Sequence, residues 1–135
     1  CDYLAVVRFD GPLFFANASY LEDRIAEIRM AKPRLRHILL VSNGISELDA
    51  SGEEALSLMV DRLKSADIQI SLSGVNGSVR AVLRRTHLLE KIGKEHMYTV
   101  SSRAITLVHQ RVHQGNMGEL AECPMTVAPE VTEKG

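Results

Sequence analysis

The residues best placed to do chemistry lie in one polar stretch, residues 43–52. It ends in Asp49-Ala50-Ser51-Gly52, and Glu54 follows Ser51 at the spacing of a capping box, in which a hydroxyl and a carboxylate bind backbone amides at the start of a helix. A helix is therefore predicted to begin near Ser51. We expect a partner or anion contact there, because a helix N-terminus carries free amides and partial positive charge. The residues assigned to this contact are Asn43, Asp49, Ala50, Ser51 and Gly52.

A simpler alternative is that Asp49 and Ser51 only cap the helix, a role worth about 1 kcal/mol for each residue. The two roles are compatible, since a cap and a recognition surface use the same exposed amides.

The flanking residues place this stretch at a position where open α/β sheets bind ligands. Residues 38–41 form a short apolar run that predicts a buried strand. Leu56, Met59, Val60 and Leu63 recur at helical spacing and predict an amphipathic helix. The polar stretch would then be the loop outside the carboxyl end of a strand.

The remaining chain alternates between strand and helix patterns. Further strands are predicted at 3–9, 12–15, 68–72 and 97–100, and further helices near Ser19, Ser78 and Ser101. Asn17 or Ser19, Asn76 and Ser101 are the expected caps. Asp10-Gly11 predicts a tight hairpin, so the first two strands should be antiparallel. The expected fold is α/β: a mixed sheet, largely parallel after the hairpin, with about four helices packed against it.

Composition indicates a single domain. The chain has 135 residues, two cysteines and a formal net charge of −1, so no strong field favours nucleic acid. It starts without Met and enters a strand almost at once, which we interpret as part of a longer polypeptide. Residues 1–114 should form the folded domain. Residues 115–135, which contain Pro124 and Pro129, should form a flexible tail.

Two histidine and arginine patterns have a structural and a functional interpretation. His109 and His113 stand four residues apart, which can place two imidazoles on one metal, but no third ligand is placed by the sequence, so no metal is expected. Arg80, Arg84, Arg85 and His87 could receive a phosphate or an acidic partner. On a nearly neutral chain we interpret them as a solvated helix face.

Catalytic motifs are absent from the sequence. It contains no phosphate-binding glycine loop, dinucleotide-binding fingerprint or nucleophile elbow. Ser42, Ser46 and Ser51 are near acidic residues, but no histidine lies in the same loop to act as a base. We therefore predict no catalytic residue, no enzyme activity and no cofactor.

Two segments resemble a known family. The run from Arg8 to Ala18, Arg-Phe-Asp-Gly-Pro-Leu-Phe-Phe-Ala-Asn-Ala, is similar to the opening of the STAS domain found at the cytoplasmic C-terminus of SulP-type anion transporters. Asp49-Ala50-Ser51-Gly52 resembles the turn shared by STAS domains, including anti-sigma-factor antagonists. In the antagonists the residue after the Asp is a serine that a kinase phosphorylates, whereas this chain has Ala50. Phosphorylation is therefore not expected, and Ser51 is the only candidate in the turn.

The resemblance implies a cytoplasmic regulatory or interaction domain of a sulfate-like transporter, on the inner side of the membrane. Its partners would be the transmembrane domain of the same transporter and soluble cytoplasmic proteins. Two alternatives stay open: a free-standing antagonist-like signalling switch, and a small nucleotide- or anion-binding domain, for which no motif is present.

Overall fold

The computed structural model describes residues 2–113, so the predicted tail at 115–135 lies outside the described residues. The strands are β1 (Leu4–Arg8), β2 (Gly11–Leu13), β3 (His37–Val41), β4 (Ile45–Leu48), β5 (Gln69–Ser73) and β6 (Met97–Tyr98). The helices are α1 (Phe15–Ala31), α2 (Ala50–Ser65), α3 (Gly77–Arg85), α4 (Leu88–Ile92) and α5 (Ser101–Val112).

The main sheet has four parallel strands in the order β1-β3-β5-β6. Alternate residues of each strand point to opposite faces, so each face has its own apolar core. Ile38 and Leu40 belong to the larger core, which α1 to α4 cover. Leu39 belongs to a smaller core on the other face, where it packs with Ala104 and Val108 of α5. The α/β class with helices on a largely parallel sheet is confirmed.

The prediction that the first two strands form an antiparallel hairpin is wrong. β2 does not pair with β1 but with β4, in a separate parallel pair. The chain does not reverse at Asp10-Gly11, because the Phe9 amide still donates to the Val41 carbonyl (3.3 Å) and the Gly11 amide to the Gly44 carbonyl (2.7 Å). Gly11 has φ +103°, a conformation that bends the chain onward without turning it back.

Several predicted boundaries also differ. Part of the expected loop, Ile45–Leu48, is strand β4, and the expected four helices are five in the described residues, because α4 was not predicted. α1 begins at Phe15, so Asn17 and Ser19 lie inside it and neither is the N-cap residue, which is Phe14. Asn17 still contributes to the cap, because its Oδ1 accepts from the Phe14 amide at 2.8 Å. Ser101, also a predicted cap, is the first residue of α5, and the N-cap residue is Val100. Asn76 does cap α3, accepting from the Val79 amide at 2.8 Å, as predicted.

None of the helices within residues 2–113 combines the length and the apolar character that a membrane crossing requires.

Candidate functional site

The start of α2 is organised by Asp49. The backbone of this residue is extended, and its Oδ1 accepts from the Gly52 amide at 2.7 Å, so Asp49 is the N-cap. Ala50, whose side chain is exposed, is the first residue of the helix. The predicted capping box of Ser51 and Glu54 is therefore wrong, because the helix begins one residue earlier and an aspartate occupies the cap.

Ser51 joins this turn to the neighbouring helix. Its hydroxyl donates to Asp49 Oδ1 at 2.8 Å and accepts from the backbone amide of Phe15 at 3.0 Å. Phe15 is the first residue of α1, so one hydroxyl holds the N-termini of α1 and α2 together. The bond also uses an amide that would otherwise lack a partner at the start of α1.

Gly52 is required by the close approach of another segment. A Cβ atom at this position would lie 2.1 Å from the Leu13 carbonyl oxygen and 3.2 Å from the Leu48 side chain. Leu13 and Leu48 end the β2–β4 pair, and the Leu13 carbonyl also accepts a 3.4 Å bond from the Asp49 amide. The turn thus contacts the β2–β4 pair directly.

Asn43 belongs to a different cluster from the rest of the predicted site. Its Oδ1 accepts from the Ser101 hydroxyl at 2.7 Å, and Ser101 and Ser73 hydroxyls lie 2.9 Å apart. These contacts tie the ends of β3 and β5 to the start of α5. Asn43 also packs close to Gly74, whose φ of +69° suits glycine. The structure therefore brings Asp49, Ser51 and Gly52 together and places Asn43 in a neighbouring polar cluster.

The turn is anionic at neutral pH. The hydrogen bond from the Gly52 amide, followed by that from the Ser51 hydroxyl, lowers the pKa of Asp49 below its ordinary value. Glu47 and Glu54 are exposed on either side of it in sequence, and Phe14 and Phe15 are exposed where α1 begins. Since the Gly52 amide is already occupied by Asp49, this arrangement suits N–H donors, cations and apolar groups better than an anion.

The other candidate residues have structural contacts. The His109 and His113 rings pack edge to face at 4.8 Å, and His113 also packs against Tyr3 at 5.3 Å. Within residues 2–113, no three His, Cys, Asp or Glu side chains are arranged to hold a metal ion. Arg84, Arg85 and His87 are exposed and Arg80 is half-buried. His87 Nδ1 lies 3.6 Å from a Glu90 carboxylate oxygen.

Sequence reasoning missed the partners that these side chains find across the chain. The strand predicted at 68–72 stops short of Ser73, which ends β5, and the strand predicted at 12–15 ends at Phe15, which begins α1. The Phe14-Phe15 pair was the available signal in the sequence, and both rings are exposed in the structure.

Comparison with known proteins shows the family to which the chain belongs. The family model of the STAS domain matches residues 2–104, which is most of the chain. The chain therefore belongs to the STAS domain family. The resemblance seen in Arg8–Ala18 and Asp49–Gly52 is confirmed at the level of the family.

The most similar curated relatives include sulfate transporters. Sulfate transporter 4.1 (chloroplastic) of Arabidopsis thaliana is 29% identical over 124 residues, a match that covers 84% of this chain and 18% of that protein. Sulfate transporter 3.2 of the same plant is 27% identical over 119 residues, and the match covers 82% of this chain and 18% of that protein. The chain thus spans less than a fifth of the length of these relatives.

Solved structures share the fold. A sulfate transporter family protein from Wolinella succinogenes has a TM-score of 0.74 at 22% identity, covering 82% of this chain and 88% of that one. The STAS domain of a SulP transporter from Vibrio cholerae has a TM-score of 0.70 at 24% identity, covering 82% and 84%. A Thermotoga maritima protein described as an anti-sigma factor antagonist has a TM-score of 0.65 at 19% identity, and the match covers 78% of this chain and 86% of that one.

Proposed function

We propose that this chain is the cytoplasmic regulatory and interaction domain of a sulfate-like anion transporter. It would contribute to assembly, trafficking or gating and would not catalyse a reaction. The observation that carries the proposal is the family match together with relatives that are sulfate transporters several times longer than this chain. In such a protein, transport itself would be carried by membrane helices outside the present sequence.

The proposed contact with the membrane part is the turn at the start of α2. Asp49 offers an exposed, charged carboxylate that bonds within the cap through Oδ1, and Phe15, whose amide binds Ser51, offers an exposed ring. Cytoplasmic loops of membrane proteins are rich in Lys and Arg, which such an anionic turn can bind. Asn43 would contribute from the adjoining cluster.

The experiment is sulfate uptake by the complete transporter carrying Asp49→Ala and Ser51→Ala. We expect uptake to fall several-fold while the isolated domain stays folded, because loss of a cap costs only about 1–2 kcal/mol. Glu90→Ala, at an exposed position of α4, is the matched control and should transport normally. Normal uptake by the double variant, with the protein present at the membrane, would contradict the contact.

The second candidate is a signalling switch of the antagonist type, which the Thermotoga fold similarity favours. It requires a phosphate in the turn, where Ala50 has no hydroxyl and the Ser51 hydroxyl is bonded to Asp49 and Phe15. A phosphate on Ser51 would also face the Asp49 carboxylate at close range.

We therefore expect the protein purified from its native cells to carry no phosphate in this turn. Intact-mass analysis followed by peptide mapping checks this. Substantial phosphate on Ser51 would overturn the expectation and favour the switch.

A further inference from the structure

Four of the five histidines in the sequence lie where α5 packs against the sheet. His37 and His96 are on the sheet side, and both approach the Ser71 hydroxyl, His37 through Nε2 at 2.7 Å and His96 through Nδ1 at 3.3 Å. His109 lies in α5 and His113 directly follows it, with their rings packed edge to face at 4.8 Å. All except the half-buried His96 are buried. We call these four side chains the histidine cluster.

The histidine cluster depends on α5 for its burial. His37 precedes Leu39 by two residues, so both side chains point to the same face of the sheet, and Leu39 packs there against α5. Arg111 of α5 lies 3.2 Å from His96 Nδ1 on the same side. Movement of α5 away from the sheet would therefore expose the cluster to water.

The surroundings of the histidine cluster are more positive than negative. α5 itself contains no Asp or Glu. Among residues 2–113, the Asp2 carboxylate is already paired with Arg34 at 3.4 Å, and Glu95 lies 3.7 Å from His96 Nε2. The titratable and charged groups around the cluster are the phenols Tyr3 and Tyr98, the acids Asp2 and Glu95, and the cations Arg34, Arg36, Lys64 and Arg111. Added protons would thus enter a region that already holds an excess of positive charge.

The neutral state of the rings is built into the packed arrangement. A guanidinium can only donate, so His96 Nδ1 accepts from Arg111 while the ring is neutral, and a proton on that nitrogen would oppose the contact. Burial, followed by the charges of His96 and Arg111, lowers the pKa of His37 to about 4. Burial is also the first cause that lowers the pKa of His96 and of His109. Since solvated histidines bind protons near pH 6.5, the packing of α5 is fully stable above that pH and weakens as the pH falls below it.

The apolar contacts of α5 are few. The buried residues that it adds to the smaller core are Ala104, Val108 and Val112, whereas α1 to α4 share the larger core on the other face. No strand follows α5 within residues 2–113, so its movement breaks no pairing of the main sheet. An element with little buried surface is able to open without unfolding the remainder of the domain.

We infer that proton uptake by the histidine cluster in mild acid releases α5 from the sheet, while the sheet and α1 to α4 stay folded. The release would also reach the carboxyl edge, because the Ser101 hydroxyl at the start of α5 donates to Asn43 Oδ1 at 2.7 Å. Asn43 would lose this contact when α5 leaves. The inference does not depend on the proposed role in transport.

The test is amide hydrogen exchange of the whole chain at pH 7.5 and pH 5.5, measured by mass spectrometry. The rates are expressed as protection factors, which remove the effect of pH on intrinsic exchange. The protection of α5 should fall about tenfold or more between these pH values. His37 alone accounts for about tenfold, because its pKa is about 4 when α5 is packed and returns to 6.5 when α5 is released. At both pH values α5 should be less protected than β3, since the released state keeps the sheet.

Three variants assign the effect to the cluster. His37→Gln should reduce the fall in α5 protection by about tenfold, and His109→Gln should reduce it independently of the first change. His87→Gln is the matched control, because His87 is the remaining histidine of the sequence and is exposed beside Glu90, away from α5. It should keep the wild-type fall, and circular dichroism at pH 7.5 should show the same fold for all variants.

Equal protection of α5 and β3 at both pH values would overturn the inference, because it would show that α5 opens only when the whole domain unfolds. Protection of α5 that does not change with pH would also overturn it. So would a fall that His87→Gln reduces as much as His37→Gln and His109→Gln do.

Discussion

The carboxylate of Asp49 has two tasks in the turn before α2. It caps the helix through the Gly52 amide and fixes the Ser51 hydroxyl, which in turn binds the first amide of α1. Because these bonds lower the pKa of Asp49, the cap is fully charged above the ordinary pKa of an aspartate and is lost only as the pH falls below it. The turn therefore keeps its charge and shape at neutral pH.

Gly52 gives the sharpest stability prediction for a single residue. Gly52→Ala should lower the free energy of unfolding by about 2–3 kcal/mol, because the new methyl group would overlap the Leu13 carbonyl and must displace backbone. Chemical denaturation measures the change.

Gly77, in the first turn of α3, is the matched control. A Cβ atom there meets nothing within 4 Å, so Gly77→Ala should be neutral or stabilising by a few tenths of a kcal/mol. Equal effects of the two substitutions would show that the approach of Leu13 to the turn is not tight.

At the scale of elements, a polar chain links β3, β5 and α5 beneath the smaller core. His37 Nε2 lies 2.7 Å from the Ser71 hydroxyl, which lies 3.3 Å from His96 Nδ1. Arg111 also lies 3.2 Å from His96 Nδ1, and because a guanidinium can only donate, that nitrogen is the acceptor while His96 is neutral. Burial, and then the charges of His96 and Arg111, lower the pKa of His37 to about 4.

The burial of His37 in this series of polar side chains predicts that the folded protein loses stability in mild acid. The unfolded chain binds a proton on His37 near pH 6.5, whereas the folded chain does so only near pH 4. The free energy of unfolding should therefore fall between these values, by up to about 3 kcal/mol at 1.36 kcal/mol per pKa unit.

Denaturation of wild type and His37→Gln at pH 7 and pH 4.5 measures the effect. The difference between the two pH values should be smaller in the variant, which cannot take up this proton. The same difference in both proteins would contradict the role of His37.

The elements that the sequence predicted correctly are those with strong local patterns. The apolar run of β3, the spacing of Leu56 to Leu63 in α2 and the Asn76 cap of α3 depend on neighbouring residues alone. The errors occur where a distant partner decides the structure. Asp10-Gly11 has the local form of a hairpin turn, yet β2 finds its partner in β4, more than thirty residues along the chain.

The same reason explains what was missed in the site. The spacing of Ser51 and Glu54 fits a capping box, but the Ser51 hydroxyl is used by the Phe15 amide, 36 residues away in sequence. The need for Gly52 likewise comes from the Leu13 carbonyl. Local spacing placed the turn of Asp49 to Gly52 at the start of α2, whereas the contacts of these residues depend on how α1 and β2 pack against the turn.

At the scale of the molecule, the helices are distributed unequally over the two faces of the sheet. Within residues 2–113, α1 to α4 cover one face and α5 covers the other, with the turn and the Asn43 cluster at the carboxyl edge between them. The turn meets the start of α1 at Phe15, so a membrane contact at the turn would adjoin the exposed Phe15 ring.

The most direct test of the central claim is an NMR titration of the ¹⁵N-labelled chain with the membrane part of the transporter, prepared in lipid nanodiscs without this domain. Shift changes and line broadening should concentrate at Asn43 and residues 49–52, and Asp49→Ala should reduce them strongly. Changes confined to α5 or α3, or no change with excess membrane part, would contradict the claim that this turn is the contact.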